Sequence, residues 1–246
     1  MPLPIVLACA TDAGNVRSQN EDAVAGDEQA RFAVLADGMG GHNAGEVASR
    51  IATEVVSSTV KARGSAAHVT REQVEALVTS DIAAANAAVF HAARSNARFR
   101  GMGTTLVVAL WHEAGVTFGH VGDSRLYLLR DGKLQQLTRD HTLVQEQLER
   151  GAITFEQARS ALNRNVLTRA VGIDPVVTAD VRTVSARGGD LFLLCSDGLT
   201  DMLSDDTISE ILNSSPGPVA SMAQRLVDAA NAAGGLDNVS VILART

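Results

Sequence analysis

The sequence predicts an α+β fold in which antiparallel sheet is covered by helices. Three observations predict it. Segments with strand periodicity and segments with helical periodicity arrive in separate batches instead of alternating singly. Residues 103–138 alternate apolar and β-branched positions between turn signals. A chain of 246 residues at 46% hydrophobic content is long enough to bury a sizeable core, as one domain or one domain with an inserted lobe.

Each element follows from local pattern. FAVLADGMGGH, residues 32–42, reads as a buried strand that ends in a carboxylate, Asp37, and then in chain with almost no side chains. Residues 44–60 and 71–94 place apolar residues at three- and four-residue spacing on Ala-rich faces, which predicts two closely packed helices. Residues 103–138 read as a meander of three antiparallel strands, with turns at Glu113–Gly115 and at Asp131-Gly132. Residues 142–170 turn helical and polar, and DLFLLCSDG at 190–198 is another apolar strand. DTISEILNS and PVASMAQRLVDAANAAG are helical, and NVSVILART closes the chain as a strand.

Charge and cysteine usage narrow the function classes. Lys plus Arg number 21 against 28 Asp plus Glu, a net charge of −7, with no block of like charges, so no nucleic-acid partner is expected. The N-terminus has no basic residue before Arg17 and an apolar run of only about eight residues, too short for a signal peptide or a membrane span. A cytoplasmic protein without membrane partners is expected. Cys9 and Cys195 lie in apolar runs without CxxC spacing and read as buried thiols, not as a disulfide or zinc pair.

One device recurs along the chain. Apolar strands end in Asp at VLADG (Asp37), HVGDSR (Asp123) and LLCSDG (Asp197), and Asp237 stands just before the last strand. A single Asp-Gly pair is ordinary turn chemistry. Four carboxylates at the ends of buried strands repel one another unless cations neutralise them. Hard oxygen ligands with no Cys or His among them select Mg²⁺ or Mn²⁺ over zinc or copper. The glycines after Asp37 let backbone carbonyls approach a metal and leave room for a bulky anion. The string GMGGHNAG fits neither a P-loop nor GxGxxG, since Asn43 stands where the third glycine belongs.

The strings RSQNED (17–22), DGMGGHNAGEVAS (37–49), GMGTTLV (101–107), HVGDSRLYLLRDGKLQQLTRDHT (120–142), RNVLTRAVG (164–172), CSDGLTDML (195–203) and DNVSVIL (237–243) together resemble the metal-dependent protein phosphatases (PPM, type 2C), bacterial branch. The likeness covers nearly the whole chain, in the family's order and at family-like separations. It implies a β-sandwich of two antiparallel sheets flanked by helices on both sides, a dinuclear Mn²⁺ or Mg²⁺ centre, and action on phosphoserine and phosphothreonine in proteins. It also implies an opposing Ser/Thr kinase and a single catalytic domain over 1–246 with a flap at about 142–170; nothing in the sequence indicates a dimer, and a monomer is expected.

Carried over residue by residue, the resemblance makes Asp37 a bridge between both metals and the Gly38 carbonyl a ligand to one. Asp197 and Asp237 would bind the other. Glu21 and Asp22 would support metal-bound waters, and Arg17 would bind the phosphate, as a guanidinium can with paired hydrogen bonds. His42 would protonate the departing alkoxide. Asp123 would bind a third, weaker metal with help from Asp197, or else position water or pair with Arg125. Asn238 would hydrogen-bond Asp237 or nearby backbone, while Thr104 and Thr105 read as structural. Paired cations would lower the pKa of a bridging water and orient it for in-line attack, without a phosphoenzyme. A cysteine-based route would need a low-pKa thiol in a phosphate loop, which the strand around Cys195 does not provide.

The flap carries Arg150, Arg159, Arg164 and Arg169, which would contact a phosphopeptide or merely solvate a surface helix. Bacterial relatives often have His-Pro where Ala161 and Leu162 stand, a departure that bears on flap conformation and not on the ligands. Two other classes remain: a catalytically silent phosphoprotein binder, which would be expected to have lost ligands, and a hydrolase of small phosphate esters or nucleotides.

Overall fold

Strands with apolar side chains on both faces must be covered twice, and the protein covers them by stacking two antiparallel sheets between helix layers. The computed structural model describes residues 3–41, 44–64, 69–159, 161, 163–214 and 216–246. One sheet runs in the order β1 (Val6–Asp12), β11 (Val239–Arg245), β10 (Leu191–Cys195), β7 (Arg125–Arg130), β8 (Lys133–Gln136). The other runs β2 (Asp22–Asp27), β3 (Phe32–Met39), β5 (Leu106–His112), β6 (Gly115–Val121), β9 (Asp180–Val184), with the two-residue β4 (Gly103–Thr104) on the end of β3.

Alternation along each strand explains the layering. In β3, Phe32, Val34 and Ala36 face the helices α1 (Ala44–Arg63) and α2 (Arg71–Ser95), while Ala33 and Leu35 face the other sheet. Between the sheets, Trp111 meets Phe192 edge to face at 5.9 Å, packed with Phe118, Leu126 and Ile242. The first sheet's outer face is covered by α6 (Asp205–Ser214) and α7 (Val219–Ala232). The α-β-β-α order of layers is the expected one.

Helix α2 is apolar and, at 25 residues, long enough to span a bilayer by length and composition. Its buried residues Val74, Val78, Ile82, Ala85 and Val89 recur every three or four positions and pack into the sheet-and-helix core. Each buried Val or Ile side chain among them contributes roughly 1.5–3 kcal/mol, and a Thr70–Gln73 capping box fixes the helix start.

Three expectations need correction. Residues 103–138 do not form one three-stranded meander: β5 and β6 pair in one sheet, but β6 pairs onward with β9 while β7 and β8 belong to the other sheet. The chain changes sheets at Gly122–Ser124, where Gly122 takes φ +100°. The Asp131-Gly132 turn forms as expected, with both residues at positive φ. Strands β1, β2 and β9 were not anticipated: β2 and β9 are small or charged and lack a sustained apolar run, and the apolar run that becomes β1 was weighed only as a signal or membrane segment. Cys9 is exposed on the edge strand β1, whereas Cys195 is buried.

Candidate metal centre

Five carboxylates meet at one rim of the sandwich, each delivered by a different piece of chain. Asp37 lies near the end of β3, and its backbone is locked from both sides. Its N–H donates to Thr105 Oγ1 at 2.9 Å, while its carbonyl accepts from Thr105 N–H and Thr104 Oγ1, both at 2.8 Å. Asp22 opens β2 directly opposite Asp37 in register. Asp123 sits in the crossing between β6 and β7, Asp197 opens the short helix α5 (Asp197–Thr200) after β10, and Asp237 stands two residues before β11.

Proximity of like charges is legible in the acidities. Burial, then the charges of Asp22, Asp197 and Asp123, hold the Asp37 carboxyl well above the usual carboxylate range. Burial and the charges of Asp123, Asp201 and Asp237 do the same to Asp197. Burial and Asp237 push Asp22 up to about 6 against hydrogen bonds from Ser240 and Ser196, and burial and Asp140 push Asp123 up to about 7. Glu21 is raised by burial against the opposing pull of Arg17.

The glycines serve packing as much as access. A Cβ on Gly38 would lie 2.1 Å from the Gly45 carbonyl oxygen and 2.6 Å from that of Glu21. One on Gly45 would lie 2.7 Å from the Gly38 carbonyl oxygen and 2.8 Å from the Glu21 carboxyl carbon. Helix α1 therefore starts in backbone contact with β3. Gly41, by contrast, stands in open space.

Small polar residues hold the carboxylates and the chain beside them; Asn238 was expected to bond Asp237 or nearby backbone and Thr105 to be structural, whereas Ser196, Ser240 and Ser124 were not singled out. Ser196 Oγ donates to Asp22 Oδ2 at 2.8 Å and accepts from Ser240 N–H at 3.0 Å. Thr105 Oγ1 is 2.7 Å from Ser124 Oγ, beside Asp123. The Asn238 side chain reaches the loop that carries Arg17: its Oδ1 accepts from Glu21 N–H at 2.8 Å, and its Nδ2 donates to the Ala13 and Gln19 carbonyls. Its backbone N–H donates to Asp237 Oδ1 at 2.8 Å. The signal for the three serines was their position beside or near Asp in CSDG, GDSR and DNVS.

Arg17 stands at the rim with its guanidinium 2.7 Å from Asp237 Oδ2. His42 lies outside the described residues, as does Leu162 of the flap. Arg125 does not pair with Asp123: its fork is taken by Asp140, at 2.6–3.1 Å, and by the Tyr127 hydroxyl. In the flap, helices α3 (Leu143–Glu149) and α4 (Phe155–Arg159) overhang a cleft of about 210 Å³ whose lining includes Asp123, Asp197, Val144 and Leu148. Arg150, Arg164 and Arg169 are bound to Glu146, Asp201 and Asp180, so these flap arginines are engaged within the chain.

A second group, His120, His141 and Asp180, has ligand atoms close enough to hold an ion. The two imidazoles are stacked at 4.6 Å and 20°, which sends their lone pairs side by side instead of toward one point. Arg169 already bonds Asp180 at 2.9 Å. His141 Nδ1 accepts from Gly122 N–H, and burial, His120 and Arg169 lower its pKa to about 4. This neutral histidine buttresses the turn that carries Asp123.

The rim itself fits a divalent cation. Asp22 Oδ1 is buried without a hydrogen-bond partner among the described residues, in a group of carboxylates that repel one another. An all-oxygen donor set of this kind suits Mg²⁺ or Mn²⁺. Cys195 is no nucleophile, since burial pushes its thiol up to about 12.

The comparisons with known proteins agree with this geometry. The sequence profile of Protein phosphatase 2C matches residues 14–240. The serine/threonine phosphatase stp of Listeria welshimeri is 39% identical over 236 residues, 95% of this chain and 92% of its own. Protein phosphatase PhpP of Streptococcus pneumoniae is 37% identical over 237 residues, 95% of this chain and 94% of its own. The Mycobacterium tuberculosis phosphatase PstP/Ppp superposes with a TM-score of 0.90 at 39% identity, covering 99% of both chains. The catalytic domain of PstP in complex with two manganese ions superposes at 0.84 and 39%, covering 98% of this chain and 97% of that one. On the extent of these matches, the chain belongs to the protein phosphatase 2C family.

Proposed function

We propose that the protein is a metal-dependent phosphatase that hydrolyses phosphoserine and phosphothreonine in proteins and opposes a bacterial Ser/Thr kinase. The observation that carries this reading is the convergence of Asp22, Asp37, Asp123, Asp197 and Asp237 on one rim, where burial and then the neighbouring carboxylates raise the pKa of Asp22, Asp37, Asp123 and Asp197. A fold does not assemble such a cluster at its own cost without a cation to hold. A catalytically silent binder has no use for it.

In this reading Asp37, the Gly38 carbonyl, Asp197 and Asp237 hold two Mn²⁺ or Mg²⁺ ions. Glu21 and Asp22 orient bound waters, and Asp123 with Asp197 holds a third, weaker ion. The ions supply an activated water and neutralise phosphate charge. Arg17 grips two phosphate oxygens with its fork once Asp237 is engaged elsewhere, and so sets the in-line angle. His42 delivers a proton to the serine or threonine oxygen as it leaves. Thr104 and Thr105 keep Asp37 from swinging with the strand end. The catalytic unit is one domain spanning 1–246, acting as a cytoplasmic monomer.

The test is phosphate release from a phosphothreonine peptide, with Mn²⁺ or Mg²⁺ and with excess chelator, for the native protein and for Asp197→Asn. Calorimetric titration of Mn²⁺ into both proteins runs in parallel. Metal-dependent release and two-site binding are expected in the native protein, and loss of both in the variant. Free phosphoserine and nucleotides as competing substrates separate this reading from a small-ester hydrolase, which would prefer them.

A further inference from the structure

We infer that the cleft between Arg94 and Arg100 receives an acidic stretch of the phosphoprotein substrate, three or four residues from its phosphorylated side chain. This rests on the phosphatase reading above and deepens it. The cleft has a volume of about 480 Å³, with Phe90, Gly101, Gly172 and Ile173 among its lining and the two arginines at its edge. Arg94 lies over the Phe90 ring at 5.5 Å, and Ile173 is 45% exposed, so the floor is apolar and the rim cationic.

The charge is local and unspent. From Ile82 to His112 the chain contains no Asp or Glu, although it carries 28 of them overall. Arg94, Arg98 and Arg100 all fall in that stretch, at the end of α2 and in the 3₁₀ turn Ala97–Phe99 that follows. None pairs with a carboxylate among the described residues, whereas Arg150, Arg164 and Arg169 of the flap are bound within the chain. The dipole of α2 favours one cation in its last turn. Arg98 and Arg100 lie beyond it. Asp174, which follows the lining residue Ile173 in sequence, is exposed and not part of the lining.

Position ties the cleft to the metal centre. Gly101 leads through Met102 into β4, where Gly103 pairs with Met39 and Thr104 with Gly38. A Cβ on Gly103 would touch both Ile173 Cδ1 and Met39 Cε at 2.9 Å, so the cleft wall and the strand bearing Asp37 are in contact. From Gly101 in the cleft lining, four residues along the strand and one strand spacing across to Asp37 amount to roughly 14 Å, the reach of about four extended residues. An acidic side chain there meets two arginines; a neutral one meets none of the charge.

The experiment uses the whole Mn²⁺-loaded chain and phosphothreonine peptides of equal length. These carry glutamates three and four residues before or after the phosphothreonine, or glutamines or lysines in their place. Two partly exposed charge pairs should raise kcat/KM of the better acidic peptide about 5- to 10-fold over the glutamine peptide at low salt. The advantage should fade near 1 M salt, where the Debye length is about 3 Å. It should vanish in Arg94→Gln/Arg100→Gln and turn into a preference for lysine in Arg94→Glu/Arg100→Glu. Equal turnover of all peptides by the native protein, or an advantage that survives in the double variant, overturns the inference. Binding of an oligonucleotide at these arginines, without discrimination among peptides, gives the cleft to nucleic acid and also overturns it. Failure of the native protein to turn over any phosphopeptide overturns instead the phosphatase reading itself.

Discussion

Asp22→Asn measures how far the rim is built against its own charge. Asp22 faces Asp37 across β2 and β3, and its carboxyl is pushed up to about 6, by burial first and then by Asp237. A group with a higher pKa in the folded chain than in the unfolded one binds protons more tightly when folded. Its neutral form therefore stabilises the fold at low pH, and that stability drains away as pH rises from near 4 to about 6. The rise from 3.8 to about 6, at about 1.4 kcal/mol per pH unit, sets a ceiling of about 3 kcal/mol. Because the neighbouring carboxyls titrate jointly and the rim faces water on one side, about half of that, roughly 1–2 kcal/mol, is the working figure. Asparagine keeps an acceptor for Ser196 Oγ and turns an N–H toward the other carboxylates. In excess chelator at pH 8, the variant should be the more stable protein by that amount, or roughly 3–6 °C in Tm for a chain of this size. The gap should close by pH 4. Saturating Mn²⁺ should reverse the order, since a ligand at 100 times its Kd adds about 2.7 kcal/mol to the protein that binds it. Urea unfolding at both pH values reads all three. A variant no more stable than the native protein in chelator at pH 8, or a gap that ignores pH, would refute the reasoning.

Three further outcomes follow from the same geometry. Gly38→Ala should cost at least ~3 kcal/mol in urea unfolding, because the new methyl meets two backbone oxygens that cannot yield, whereas Gly41→Ala, in open space, should stay within about 0.5 kcal/mol. Thr105→Val keeps the shape but leaves the Asp37 N–H without its acceptor, costing about 1–3 kcal/mol; Mn²⁺ titration should show weaker binding, and an unchanged affinity would mark the threonine as packing alone. Asp140→Ala strips Arg125 of a bidentate partner whose side chain is only 14% exposed, a loss of about 2–3 kcal/mol, measured by thermal unfolding in chelator.

The layers and most of the carboxylates were legible because both rest on local pattern. Unbroken apolar runs such as FAVLADG announce strands covered on two faces, and an Asp at the end of each is visible without coordinates. What was hidden depended on pairing between distant segments. DVRTV forms β9 only because β6 offers it an edge. HVGDSR reads as one turn of a meander but is the passage between sheets, a difference set by which edges are free and not by composition. Thr105 and Ser196 looked like filler, since a hydroxyl declares its role only when the atom it bonds is known. The same limit applied to Arg164 and Arg169, whose partners Asp201 and Asp180 lie outside the flap segment.

The rim is also the place where the two sheets are tied together. Asp22 and Asp37 come from one sheet, Asp197 and Asp237 from the ends of strands in the other, and Asp123 from the chain passing between them. The bonds that aim the carboxylates, Ser196 to Asp22 and Asn238 to Glu21, run from sheet to sheet. Sliding one sheet over the other would change every spacing at the rim, and the interlocked Trp111, Phe118 and Phe192 between the sheets resist it. The fold can therefore hold like charges at fixed separations that a loop-built site would relax by moving apart. Rigidity at the rim and adaptability at its margins are separated by construction. The carboxylates sit on strand ends locked by backbone contacts, while helices α3 and α4 and the arginines Arg94 and Arg100 lie toward the surface, where exposed side chains can be exchanged without moving those strand ends.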